Sequence, residues 1–433
     1  MRFLLLICAL ILPTLISCVG PFAGRRPALS GPLSLQVDFD SVTASAHLRW
    51  EQARVEGFLY YRIERARHAG FEAVAEIESA TDTSYVDKGL LATTANRYRV
   101  IAVWGEKDDD SAQSLATTTV EGGIHRFLNS WSLPRGFLPT RLAMSKQGVL
   151  HVVGAGAGQV ERFDRGGNSM GQWQFAQGPN ACLETAVLDG PSLSFDSKGN
   201  LYVVYNLLEA GRAPLSFWTK FDASGRLQWT RPLEMAFARH IAIDGDDIYI
   251  EGISRLKQFD AGGEAVADYP IPALLVSSLR FWGGHFAALV EPLSFANMGW
   301  QAPRLVVYTS ADRSATDFVI GRDPLSPEDR GAGLLSRPSD FATDEATNRV
   351  FVVNAGHRRI EVFKDNVYLT RWSEVGVDEV RRFRFSGQFP VIDNLSTGTT
   401  RQRTVTAGGI SRDREGFLYV ADTFNDRIQK FQP

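Results

Sequence analysis

The strongest constraint on this chain is that it repeats itself. The segment Leu418-Tyr-Val-Ala-Asp-Thr-Phe-Asn-Asp-Arg-Ile-Gln-Lys-Phe431 recurs without a gap 68 residues earlier, as VFVVNAGHRRIEVF at 350–363. It recurs again 268 residues earlier, as LHVVGAGAGQVERF at 150–163. Looser copies are LYVVY at 201–205 closing with WTKF at 218–221, IYIEG at 248–252 closing with LKQF at 256–259, and HFAALV at 285–290 closing with RLVVY at 304–308. A unit that recurs at such spacing is one supersecondary element, unable to bury its apolar surface without its neighbours.

Each unit holds two alternating strands, usually preceded by a short one such as SLSF, HIAI or GGIS and followed, after a turn such as DRGG or DASG, by a fourth. Four strands per unit, six times over, predict a β-propeller spanning 124–433. The sixth unit stops at Pro433 after three strands. The run RFLNSWSL at 126–133 precedes the first unit, so it is expected to supply the missing outer strand and close the ring without an exposed edge.

The template YVADTFNDRIQKF resembles an NHL repeat. The likeness is close at 408–433, good at 338–363 and 148–163, and weak at 284–308. It implies a six-bladed NHL-like ring in which Asp422, Asn425 and Arg427 bond the hairpin and its neighbour rather than perform chemistry.

Residues 33–120 alternate in short runs separated by turn-like breaks, the pattern of an antiparallel sandwich. Ala46, Leu48 and Trp50 share parity, as do Tyr61 with Ile63, and Tyr98 with Val100 and Ala102, so each set is expected to face a core. LRW at 48–50, YRIER at 61–65, TSYVD at 83–87 and YRVIAV at 98–103 resemble a fibronectin type III domain, placed at 32–121. That family often carries a corner tyrosine where this chain has Asn96.

The N-terminus reads MRFLLLICALILPTLISC. A basic Arg2 and an apolar run too short to span a bilayer predict a signal peptide over 1–17. Leu15-Ile16-Ser17-Cys18 resembles a bacterial lipobox, which implies lipidation of Cys18, a tether over 18–31 and anchoring to the cell envelope, with the outer membrane favoured. Of the three cysteines, cleavage would remove Cys8 and lipidation would consume Cys18, leaving Cys182 with no internal disulfide partner.

The formal charge of −3 excludes a global basic field, so no nucleic-acid partner is expected. His125, His151, His240, His285 and His357 form no short-spaced pair, although His240 and His285 come from repeats that could bring them to a central channel. No GxSxG elbow is present. Asp340, Asp344 and Glu345, the candidates for a central cation, sit in strand and turn contexts of the repeat. DSKGN at 196–200 and DREG at 413–416 read as turns rather than calcium loops. No cofactor, metal or catalytic residue is assigned.

The loops are lopsided. Long excursions are expected at 206–217, 291–303, 321–337 and 376–405, all on one end of the ring, whereas turns at 164–168, 222–226, 260–264 and 364–367 are short. That end is expected to carry Phe217, Trp218, Phe295, Trp300, Phe383, Phe385 and Phe389, with Arg381, Arg382, Arg384, Arg401 and Arg403. Aromatics and Arg dominate binding hot spots. Trp218, Trp300, Arg381, Arg382 and Arg384 are therefore the candidate contacts to a protein or glycan partner. The expected function is binding or scaffolding in the envelope. A metal-dependent propeller hydrolase or lyase and a glycan- or peptidoglycan-binding protein are the alternatives.

Overall fold

A computed structural model describes residues 32–432 except 68–69, 91–95, 106–111, 126, 156, 177–185, 210–211, 236, 272–274, 292–301, 325–330, 374–387, 395–399 and 407. Cys18, Trp300, Arg381, Arg382 and Arg384 lie outside the described residues, as do the predicted signal and tether.

The fold is all-β. Its first strands are β1 (Leu35–Asp40), β2 (Ser45–Trp50), β3 (Phe58–Arg67), β4 (Gly70–Ile77), β5 (Ser84–Lys88), β6 (Asn96–Trp104), β7 (Gln113–Ala116) and β8 (Val120–Gly122). They form one sheet in the order β1-β2-β5 and another in the order β4-β3-β6-β7, with β8 paired to β6. The predicted parities hold: Ala46, Leu48, Trp50, Tyr61, Ile63, Tyr98, Val100 and Ala102 are all buried. Backbone proximity groups the chain into two compact units. One contains 49–83 and 98–119 with the described residues up to Leu35; the other contains 36–48, 84–97 and 120–433.

The second unit is dominated by six four-stranded antiparallel sheets. After β9 (Phe127–Ser132), the first sheet is β10 (Pro139–Met144), β11 (Leu150–Gly154), β12 (Gln159–Phe163) and β13 (Ser169–Gln174). The second is β14 (Ala186–Phe195), β15 (Leu201–Glu209), β16 (Leu215–Phe221) and β17 (Leu227–Leu233). The third is β18 (His240–Asp244), β19 (Asp247–Glu251), β20 (Arg255–Phe259) and β21 (Ala265–Pro270). The fourth is β22 (Leu275–Trp282), β23 (His285–Glu291), β24 (Arg304–Tyr308) and β25 (Thr316–Ile320). The fifth is β26 (Pro338–Asp344), β27 (Arg349–Asn354), β28 (Arg359–Lys364) and β29 (Val367–Ser373). A separate hairpin, β30 (Gln388–Asn394) and β31 (Thr400–Thr406), precedes the last sheet.

That last sheet is β32 (Ile410–Arg412), β33 (Leu418–Asp422), β34 (Arg427–Phe431) and, as its outer strand, β9. The register runs from Arg427↔Ser132 to Phe431↔Phe127. The run ahead of the first repeat thus completes the sixth sheet, as the truncated last repeat required. The first strands of the sheets neighbour one another in the order β10, β14, β18, β22, β26, β32 and back to β10. This closed cycle of sheets is propeller-like.

The core lies between the sheets. One cluster joins Val153 and Val160 of the first sheet to Val203 and Phe221 of the second. Others join the second to the third, the third to the fourth and the fourth to the fifth. The sixth meets the first through Leu142, Val152, Tyr419 and Ile428. Second strands bury both faces, which is why β11, β27 and β33 read as near-continuous apolar runs. Outer strands keep a wet face, and β17 alternates half-buried and exposed positions.

Candidate functional site

The ring presents two ends and a channel. At one end the links are tight, because an aspartate folds the chain back on itself. Asp196 Oδ1 accepts the backbone N–H groups of Lys198 and Asn200 at 2.9 and 2.8 Å. Asp413 does the same for Glu415 and Phe417 at 3.0 and 2.9 Å, and its Oδ2 accepts the Tyr419 hydroxyl at 3.0 Å. Asp164 and Asp222 repeat the pattern. These carboxylates are spent on backbone N–H groups, as turn chemistry requires.

The other end carries the longer connections, with one revision. The segment 206–217 is mostly not a loop: β15 and β16 lengthen and pair through Leu207↔Leu215. Trp218 is therefore a strand residue, 1% exposed, with its ring centroid 4.7 Å from both Trp229 and Phe259. It serves the seam between the second and third sheets and offers no surface to a partner, which corrects its assignment as a contact. Phe217 stacks on Tyr205 at 5.7 Å. Within the connection between the fifth and sixth sheets, β30 and β31 pair in a regular register from Gln388↔Thr406 to Asn394↔Thr400. β31 approaches β14 of the second sheet.

The first strands of all six sheets surround a cavity of ≈ 260 Å³. Its wall is polar and basic. Arg141 on β10, Arg280 on β22 and Arg412 on β32 line it, with His240 on β18 and with Ser194, Thr343 and Ser411. Arg141 is anchored through backbone carbonyls, Nη1 donating to Thr140 O at 2.9 Å and Nη2 to Ser277 O at 2.5 Å. Arg280 Nη2 donates to Asp340 Oδ2 at 2.9 Å and to Ile410 O at 3.1 Å. Asp340 is fully buried and also accepts from Ser278 Oγ at 2.6 Å and from the Ile410 N–H at 3.1 Å. Burial opposes its ionisation, but Arg280, Arg141 and these donors outweigh it and hold the carboxyl below its ordinary range.

A second ion group sits beside it. Asp344, 1% exposed, meets Arg349 Nη2 at 2.9 Å and Arg412 Nη2 at 3.1 Å. Burial is again outweighed, by Thr347, Arg349 and Arg412, and this carboxyl too is held low. Glu345 by contrast is exposed and accepts the Gly283 N–H at 3.2 Å. The three carboxylates singled out for a cation thus do not converge: two are closed by arginine and one is on the surface. Among the described residues no group of three His, Cys, Asp or Glu is arranged to hold a metal ion.

The histidines separate cleanly. His240 lines the channel and its Nε2 donates to Val276 O at 2.9 Å. Burial, then the nearby Arg141 cation, push its pKa to about 3, so the ring is neutral. His285 does not line the channel; it opens β23, half-buried. His151 is packed between Trp173 and Phe195, centroids 5.0 and 4.9 Å away, as its strand position suggested.

The repeat residues Asp422, Asn425 and Arg427 form the local network their resemblance implied. Asp422 Oδ2 accepts from Asn425 Nδ2 at 2.8 Å, Arg427 Nε at 2.7 Å and Gln429 Nε2 at 2.9 Å.

No family model and no curated protein matches the sequence. Among solved structures, virginiamycin B lyase from Staphylococcus aureus is similar over 70% of this chain and 98% of its own, at 12% identity and a TM-score of 0.41. An auxiliary nutrient binding protein from Bacteroides ovatus is similar over 90% of this chain and 94% of its own, at 13% identity and a TM-score of 0.44. Another, from Bacteroides thetaiotaomicron, covers 93% and 98%, at 10% identity and a TM-score of 0.44.

Proposed function

We propose that this chain is an exported, lipid-anchored envelope protein that acts as a binding or scaffolding module. In this reading Cys18 carries the lipid, 18–31 is the tether, a fibronectin type III-like domain follows over 32–121, and 124–433 is a six-bladed NHL-like propeller. The supporting observation is the inequality of the two ends of the ring. One is sealed by aspartate-folded turns. The other is the end at which the chain leaves β13, β23, β25 and β29 and re-enters at β14, β24, β26 and β32, with 11 to 36 residues between, the β30–β31 hairpin included in the last interval. Long connections on a rigid scaffold are where binding residues concentrate. The partner surface is assigned to that end, with Trp300, Arg381, Arg382 and Arg384 as its contacts.

Crosslinking in the native host, followed by capture from envelope extracts, tests this reading. The W300A/R382A double variant is expected to lose the partners captured by the parent chain, while C18A is expected to lose the lipid and leave the membrane fraction. Unchanged capture by the double variant overturns the choice of face. Unchanged membrane association of C18A overturns the anchor.

A further inference from the structure

The channel wall holds more positive charge than its own partners absorb. Three guanidiniums, from Arg141, Arg280 and Arg412, line it, and behind them stand Arg349 and the carboxylates Asp340 and Asp344. Behind Arg412 also stands Asp413, whose charge acts on that guanidinium, with Arg165 at 3.8 Å shared between Asp413 and Glu415. Five guanidiniums against four carboxylates leave a surplus of one positive charge in and behind the wall of a chain whose total charge is −3. Charge surplus in a cavity walled by protein is felt more strongly than on an open surface, because little water screens it.

The unspent donors belong to the same wall. Arg280 commits Nε and Nη2 to Asp340 and Ile410, and Nη1 has no hydrogen-bond partner among the described residues. Arg412 Nε is buried without a partner. Ser194, Thr343 and Ser411 add hydroxyls to the lining with no side-chain bond to another described residue. No carboxylate lines the cavity. A cation would meet guanidiniums there; an anion would meet preformed donors from four different sheets. At ≈ 260 Å³ the cavity admits a compact molecule and excludes a polymer segment.

We propose that the central channel binds a compact anion rich in oxygen, a small carboxylate or a phosphate group, held by Arg280 and Arg412 with the Ser and Thr hydroxyls completing its oxygen shell. The net positive wall favours an anion, the unspent donors favour one with several oxygens, and charge-assisted bonds to guanidinium are the strong ones available here. The site is independent of the partner face: its residues lie on first strands rather than in the long connections.

Titration calorimetry of the full chain with succinate, inorganic phosphate, acetate and neutral succinamide tests it. Succinate or phosphate is expected to bind with a Kd of about 1 mM or tighter, acetate about tenfold more weakly, and succinamide not at all. R412Q is expected to weaken succinate and phosphate about tenfold or more, since Arg349 and Thr347 still hold Asp344. The S411A/T343A double variant removes donors without touching an ion pair and serves if R412Q does not fold; it is expected to weaken binding severalfold. Absence of heat with both succinate and phosphate at about 10 mM, or equal affinity in the parent and these variants, overturns the proposal.

Discussion

Asp422 shows what one side chain does in this fold. It is completely buried, and one of its oxygens gathers an amide from Asn425, a guanidinium nitrogen from Arg427 and an amide from Gln429. Removing the acceptor strands all three donors in a site with little access to water, which costs far more than the net worth of the bonds. D422A is expected to lower stability by about 3 kcal/mol and D422N by less, because asparagine keeps one acceptor oxygen. Denaturant unfolding with both variants checks the order; equal, small losses would deny the hub. The role of this residue was legible because its partners lie within seven residues of it. The channel arginines were not legible, for the opposite reason. Counting back 268 residues, Arg412 matches Met144, and Arg141 matches Gly409 counting forward. They occupy unequal places in the repeat, so no column of the alignment carries them, and only the closure of the ring brings them together.

At the scale of elements, closure depends on β9. Trp131 of this strand lies opposite Ile428 and stands 5.9 Å from Phe163 and 6.2 Å from Tyr419, ring centre to ring centre. Just beyond it, Asp426 accepts the backbone N–H groups of Gly136 and Leu138 at 2.7 and 2.8 Å, which ties the chain entering the first sheet to the hairpin of the last. W131A should cost about 2–4 kcal/mol, at or a little below the roughly 3–5 kcal/mol for truncating a fully buried aromatic, because this ring is half-buried. Deleting 127–132 should leave β34 as a bare edge, lower the unfolding temperature sharply and open the C-terminal hairpin to protease. Unfolding that ignores the deletion would show that the last sheet does not need its borrowed strand. The strand was readable from arithmetic: three strands where four were due. The lengthening of β15 and β16 was not, because a polar break such as Leu-Glu-Ala-Gly-Arg looks the same whether it ends a long hairpin or fills a loop. That ambiguity misplaced Trp218, whose neighbours, Trp229 on the next strand of its own sheet and Phe259 across the seam, belong to other strands.

For the molecule as a whole, acid should be the condition that the fold resists least. His125, His151 and His240 are 1%, 2% and 6% exposed. Burial pushes their pKa values to about 3, about 4 and about 3. In the unfolded chain each would titrate near 6.5. Below about pH 6.5 the unfolded state therefore takes up protons that the folded state refuses, and stability falls with pH until the folded values are reached. At pH 5 each histidine should withdraw about 2 kcal/mol relative to pH 8. Asp340 and Asp344, held low, extend the loss once the pH falls below the ordinary carboxylate range. Glu291 and Glu361, raised by burial, work in the other direction, so their protonation offsets part of the loss. Denaturant midpoints between pH 8 and pH 4.5 should show a net uptake on unfolding of two to three protons near pH 5. H151Q should reduce that number by about one, since its ring contacts are with Trp173 and Phe195 and its substitution leaves the channel charges in place. A flat profile, or a slope that H151Q does not change, would mean that these histidines are protonated in the folded protein and that the seams around them admit water.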